Sequence, residues 1–290
     1  MHLIDPENSG TAPQDDTAVG TPQIVYMDAA MARRELERNI NNRPVRLARV
    51  QQYLDDMTAG RWRFNGEAIK FAYDGRLLDG QHRLMALART SGLVIPMLVV
   101  RGLPDDAQVT MDQGTKRSPA DQLSIAGLAS HNPTMVAAAL RVFMVWMEGN
   151  LFGDVVRNPT PVSTTKVIEF ADAYPDVVAR AERFATVATR LKCRPAVACA
   201  VAIRFSEIDD TAATEFIRLW DTGVGLDLGS PILALRERLD SIRTARVRTS
   251  DRDYIGIIVA AWNYWRRGKQ VSKLQRPKGG WTPENFPEPR

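Results

Sequence analysis

The chain has 290 residues, 44% of them apolar and 25% charged, which is ordinary for a soluble protein and enough for one large core or two modest ones. Its formal net charge of +4 is too small to argue for nucleic-acid binding by itself, and its two cysteines are too few for a disulfide framework or a zinc site. The opening MHLIDPENSGTAPQDDTAVGTPQ has neither the basic nor the apolar region of a secretory signal, and no later run is long enough to span a bilayer; the expectation is a cytoplasmic protein with no membrane partner, whose residues 1–21 form a flexible lead-in.

IVYMDAAMARRELERNI predicts a short strand that gives way to a helix. In NRPVRLARVQQYLDDMTAG, Leu47, Val50, Leu54 and Met57 are spaced by three, four and three, which predicts one apolar helical face stopped at Gly60. Trp62 and Phe64 then alternate with Arg61 and Arg63. EAIKFAYDGRLLDG predicts a hairpin around Asp74-Gly75, QHRLMALARTSG a short helix closing at Gly92, and VIPMLVVRG an apolar strand. Pro104 opens a helix expected to end near Gly114. Ser118, Pro119 and Asp121 have the pattern of an N-cap, a first helical proline and an acid at the third position, with the loop QGTKRS before them. From about residue 130 the pattern is helical, broken at RNPTPVS, GLDLGSP and RPKGGWTPENFPEP, and Cys199 in AVACAVAI reads as a buried thiol. The fold expected is α+β: an α/β domain over residues 22–128, then an all-helical domain over 129–290.

The stretch LLDGQHRLMAL carries the chemistry. A strand ending at Asp79, a glycine, and a helix opening with Gln81, His82 and Arg83 suits an anion, because the first N–H groups of a helix lack internal partners and its dipole is positive there. Gly80 permits close approach, Arg83 can grip phosphate oxygens with two prongs, and His82 can donate to them or move a proton. The blander account stands beside it: Asp79 as a cap, Gly80 as a turn, and His82 and Arg83 as a solvated first turn. His2 lies in the lead-in and His131 at a helix start, so His82 alone among the three histidines sits where chemistry is expected.

GRLLDGQHRLMALARTSGLVIPMLVVRG resembles the core of the ParB/sulfiredoxin superfamily, in which a glycine-led box followed by arginine opens a helix after a hairpin strand. The resemblance covers roughly residues 22–127 and stops before the helical half. It implies a ParB/sulfiredoxin-like fold and matches Gly80, Gln81, His82 and Arg83 to the box that holds nucleotide phosphates in ParB-type CTPases, in the free serine kinases of this fold and in sulfiredoxin. Gln81 stands where sulfiredoxin has its reactive cysteine, so sulfinic acid reduction is not implied, and Gln-His replaces the Glu-Arg of ParB, so neither is a preference for CTP. The Asp-Gly-x-His-Arg form is closest to the kinase members, where the matching aspartate takes part in the chemistry; Asp79 is therefore the candidate catalytic or magnesium-binding carboxylate. NNRPVR stands where the family has its first box, which offers Asn42, Arg43 and Arg46, or else a solvated helix start. DQGTKRS stands at a third, phosphate-contacting box, with Asp112, Thr115, Lys116 and Arg117 as candidates. Glu67 is a possible second acid or a surface turn. Proteins of similar arrangement occur in bacteriophages and actinobacteria, commonly labelled ParB-like nucleases, which implies a bacterial or phage-infected cytoplasm.

The basic surplus gathers late. YIGIIVAAWNYWRRGKQVSKLQRPKGG begins as an apolar helix and ends with Arg266, Arg267, Lys269, Lys273, Arg276 and Lys278, candidates for DNA phosphates, with Trp262, Tyr264 or Trp265 available to stack on a base. Packing of those aromatics inside a bundle, with the bases as a wet helix end, is the alternative, and self-association as a homodimer is a third. Together the expectation is a nucleotide-binding protein acting on or with DNA, taking a nucleoside triphosphate or diphosphate with Mg2+ for hydrolysis or phosphoryl transfer, including modification of DNA. Arg83, His82 and the amides after Gly80 would hold the phosphates. The rivals are a DNA-binding or assembly protein whose nucleotide site is regulatory or defunct, and a metal-dependent nuclease.

Overall fold

The computed structural model describes residues 22–40, 42, 44–104, 107, 108, 111, 118–152, 162–246 and 248–290. The flexible lead-in expected over 1–21 and most of the segment from Pro104 to Arg117 lie outside them. The chain is α+β and divides into two compact units, residues 1–114 and 115–290.

The first unit is built on a mixed sheet of four strands, β1 (Gln23–Met27), β2 (Ala68–Ala72), β3 (Leu77–Asp79) and β4 (Ile95–Leu103), in the order β1-β4-β2-β3. β4 runs antiparallel to β1 and parallel to β2, and β3 closes the other side as the hairpin partner of β2. Gly75 makes that hairpin turn at a φ of 83°, a left-handed conformation that suits the Asp-Gly pair, and Asp74 accepts from the Arg76 amide at 2.8 Å. Alternation decides which side chains enter the core: Ile95, Met97 and Val99 of β4 and Ile69 and Phe71 of β2 are buried with Leu77. Three helices, α1 (Ala29–Leu36), α2 (Leu47–Thr58) and α3 (Gln81–Leu87), contribute Ala32, Val50, Met57, Leu84 and Leu87 to the same core. Leu47, expected on the apolar face of α2, is exposed: it is the first residue of the helix, and the core along this face begins at Val50. Residues 61–66 form no strand; Arg61 pairs with Asp56 at 2.8 Å, and Trp62 packs edge-on against Tyr53.

The second unit contains, among the described residues, eight α-helices: α4 (Pro119–Ile125), α5 (Pro133–Met147), α6 (Thr164–Ala173), α7 (Pro175–Ala188), α8 (Pro195–Ile208), α9 (Asp210–Thr222), α10 (Pro231–Thr244) and α11 (Asp251–Arg266). Five of them open with proline, whose missing N–H costs nothing at that position. Ser118 and Asp121 close a reciprocal capping box at the start of α4. Leu123 of that helix packs into the helical core, which groups α4 with the second unit although the sequence pattern set it before the division. α8 is apolar nearly all round and lies at the centre. After α11 the chain has no further helix; it folds back as a strap in which Leu274 and Trp281 are buried. The strap is tied down where Val271 donates to Gly229 O at 2.7 Å and Trp262 Nε1 to Arg290 O at 2.8 Å. No helix among the described residues is long and apolar enough to cross a membrane.

Cys199 is fully buried, as its apolar run predicts, and burial pushes both its thiol and that of Cys193 up to about 12. Native protein is therefore expected to resist alkylation near the ordinary thiol pKa of about 8.5. Mass spectrometry after iodoacetamide should find both thiols unmodified until denaturant is added; rapid native labelling would contradict this packing.

Candidate functional site

Gly80 joins β3 to α3 at a φ of 104°, where a Cβ would run into the Ile69 side chain and stand 3.3 Å from the Ile69 Cα. Both the backbone conformation and the packing exclude any other residue. The polar residues that follow are buried: Gln81 is 2% exposed, His82 6% and Arg83 6%. The solvated first turn is therefore not what forms.

Arg83 turns inward. Its Nη1 donates to Glu67 O at 2.7 Å, and its Nη2 donates to Ala68 O at 2.8 Å and to Asp79 Oδ2 at 3.2 Å. Asp79 Oδ1 accepts from the Gly80 amide at 2.7 Å. Both terminal nitrogens of Arg83 are thus engaged by the chain itself, and the two-pronged grip on an external phosphate requires these bonds to break. The guanidinium fastens the start of α3 to the start of β2, and Asp79 balances its charge.

His82 also has a structural partner. Its Nε2 accepts from the Arg46 amide at 3.0 Å, so the neutral ring carries its proton on Nδ1, and proton transfer at Nε2 requires this bond to open. The segment after α1 makes the contact possible by running along the outer edge of β3. Arg38 O accepts from the Leu77 amide at 2.9 Å, and Asn42 Nδ2 donates to Leu77 O at 3.1 Å. Asn39 Nδ2 donates to Gln81 Oε1 at 3.4 Å, and Gln108 Nε2 reaches Leu78 O at 3.1 Å. Asn39 and Gln108 were not singled out by sequence reasoning, since an amide that pairs with a distant carbonyl leaves no local signature.

At the end of this segment Arg46, exposed, begins α2. It supplies no side-chain cap, the first turn of α2 contains no acid, and Arg49 adds a second cation one turn in. Cations at a helix N-terminus are normally unfavourable, so this is a positive spot suited to an anion. Among the described residues Arg46 has no acidic partner. The structure brings Arg46 to His82 and leaves the Asn42 side chain on β3. Arg43, Asp112, Thr115, Lys116 and Arg117 lie outside the described residues. Glu67 contributes its carbonyl to Arg83 while its side chain faces solvent, and His131 pairs with Ser130 at the start of α5.

Magnesium does not fit Asp79 as it stands. Both carboxylate oxygens are already bonded, one of them to a cation, and among the described residues no group of three or more His, Cys, Asp and Glu side chains is placed to hold a metal.

At the basic end, Trp262 is fully buried, stacked on Phe205 with ring centroids 4.2 Å apart, so it presents no face to a base, and Trp265 is half-buried and packs edge-on with Phe216. Tyr264 remains exposed. Arg266 is ion-paired with Asp209 and Arg276 lies 3.6 Å from Asp253, whereas Arg267, Lys269, Lys273 and Lys278 have no acidic partner among the described residues.

No protein-family model, curated protein or solved structure matches the chain.

Arg83→Ala leaves two carbonyls and Asp79 without their partner, at an expected cost of about 3–5 kcal/mol, the range for breaking a buried ion pair. Hydrogen exchange should show protection lost across residues 68–87 while the α8 amides stay protected; unchanged protection of β2 and α3 would contradict the clamp.

Proposed function

We propose that the first unit is a ParB-like nucleotide-binding module and that the basic end of the second engages DNA, with hydrolysis or phosphoryl transfer as the reaction class. One observation carries the nucleotide reading. The uncapped, doubly basic start of α2 is held by the His82–Arg46 hydrogen bond against the start of α3, whose glycine cap likewise offers no side chain. The exposed, uncapped start of α2 therefore stands beside Arg46 with the buried start of α3 behind it, which suits the oxygens of a phosphate chain. Arg46 then supplies the charge, and Arg83 acts from behind by fixing the turn. The ParB-like assignment itself rests on the DGQHR resemblance and on its setting after a hairpin strand.

A second reading, a DNA-binding or assembly protein whose nucleotide site is defunct, is favoured by Arg83 and Asp79 having satisfied each other.

Calorimetric titration with ATP, ADP, CTP and GTP separates the two. The first reading expects at least one nucleotide to bind and Arg46→Glu to weaken it by about tenfold or more, as loss of a charged hydrogen bond would, without lowering the melting temperature. No binding by folded wild type would favour the scaffold.

For the DNA reading, reversing Lys269 and Lys278 to Glu should reduce the slope of log affinity against log salt by about one unit for each phosphate no longer neutralised. Binding that ignores salt would sink the basic-surface assignment.

A further inference from the structure

The strap and α11 enclose an open groove of about 580 Å3, inside the range of about 300–1,000 Å3 usual for sites that receive a small-molecule-sized group. Trp281 lines it, fixed by lying on Gly256, where a Cβ would come within 2.5 Å of the indole. Pro277 and Pro287 add rigid apolar surface, and Tyr264, 37% exposed, adds an aromatic ring that the core does not use.

Several surface cations of the second unit are neutralised locally: Arg183 by Asp210, Arg190 by Asp221, Lys192 by Asp240 and Arg218 by Glu215. At the groove, Lys273 has no acidic partner among the described residues and Arg276 has only Asp253 at 3.6 Å. An apolar, aromatic-lined slot with one lysine unpaired among the described residues, and beside it an arginine whose carboxylate partner stands at 3.6 Å, calls for a ligand that is flat and apolar on its faces and anionic alongside, as a nucleotide is. A duplex hides the faces of its bases, so only an unpaired nucleotide offers both.

We infer that this groove receives an unpaired nucleotide of single-stranded DNA, its base against Tyr264 and its backbone phosphate at Lys273 and Arg276. The inference rests on the reading that the basic end engages DNA and narrows it to one strand.

The test is fluorescence anisotropy with a labelled oligothymidine and a duplex of the same length, using full-length wild type, Tyr264→Ala, Tyr264→Phe and Lys273→Glu, each checked for an unchanged melting temperature. The single strand should bind about tenfold more tightly than the duplex, Tyr264→Ala should weaken the single strand alone by about tenfold, the equivalent of one stacked base, and Tyr264→Phe should restore it. If Tyr264→Ala does not fold, Lys273→Glu on the exposed strap carries the comparison and should weaken the single strand more than the duplex. Equal, salt-dependent binding of both DNAs that neither groove variant changes would overturn the groove and leave the DNA reading standing. Binding of neither DNA would overturn both. Tighter binding of polyglutamate than of oligothymidine, weakened by Lys273→Glu but not by Tyr264→Ala, would overturn the nucleotide reading and assign the groove to an acidic peptide.

Discussion

The guanidinium of Arg83 is the fixed point of the first unit. It binds two carbonyls at the start of β2 and the carboxylate that ends β3, so a single side chain sets where α3 begins relative to both strands. Everything polar nearby inherits its position from this: Gly80 is pressed against Ile69, His82 is held toward Arg46, and the start of α2 is drawn to the start of α3. A buried charge is costly unless paired and fully bonded, so a clamp of this kind contributes definition more than stability. It makes a rigid back wall for the turn and leaves Arg46 and the start of α2 as the exposed groups in front of it.

The second unit uses its charges in two ways. Over most of its surface, cations and acids lie within bonding distance, and pairs of that kind contribute about 0–1 kcal/mol each. In the strap Lys269, Lys273 and Lys278 have no acidic partner among the described residues. The strap is nevertheless structural, because Leu274 and Trp281 are buried in it and the Trp262 indole bonds to its last residue. Deleting it would strip the core as well as the charge, and for that reason single charge reversals are the cleaner probe of binding.

Signals confined to a few neighbouring residues were legible in the sequence. Asp74-Gly75 specified the hairpin, Ser118 with Asp121 the capping box, and the apolar run around Cys199 a buried helix. The division of the aromatics near residue 262 was not readable: Trp262, Tyr264 and Trp265 were equally available to stack on a base, and packing buries Trp262, half-buries Trp265 and leaves Tyr264 exposed. The partners of Arg83 were not readable. Backbone carbonyls sixteen and fifteen positions earlier carry no side-chain identity, and DGQHR reads the same whether its arginine faces a ligand or the chain's own backbone. The exposure of Leu47 was hidden for a related reason, since periodicity assigns a face but not how far the core reaches along it.

The central claim is that an anion is received where the starts of α2 and α3 meet. It is tested most directly by following backbone amide resonances while nucleotide is added to the full chain. The account predicts saturable shifts at Leu47 and Ala48 and at Gln81 and His82, with the β1 amides still. Saturable binding that moved none of these four amides, or moved only residues of the second unit, would contradict it.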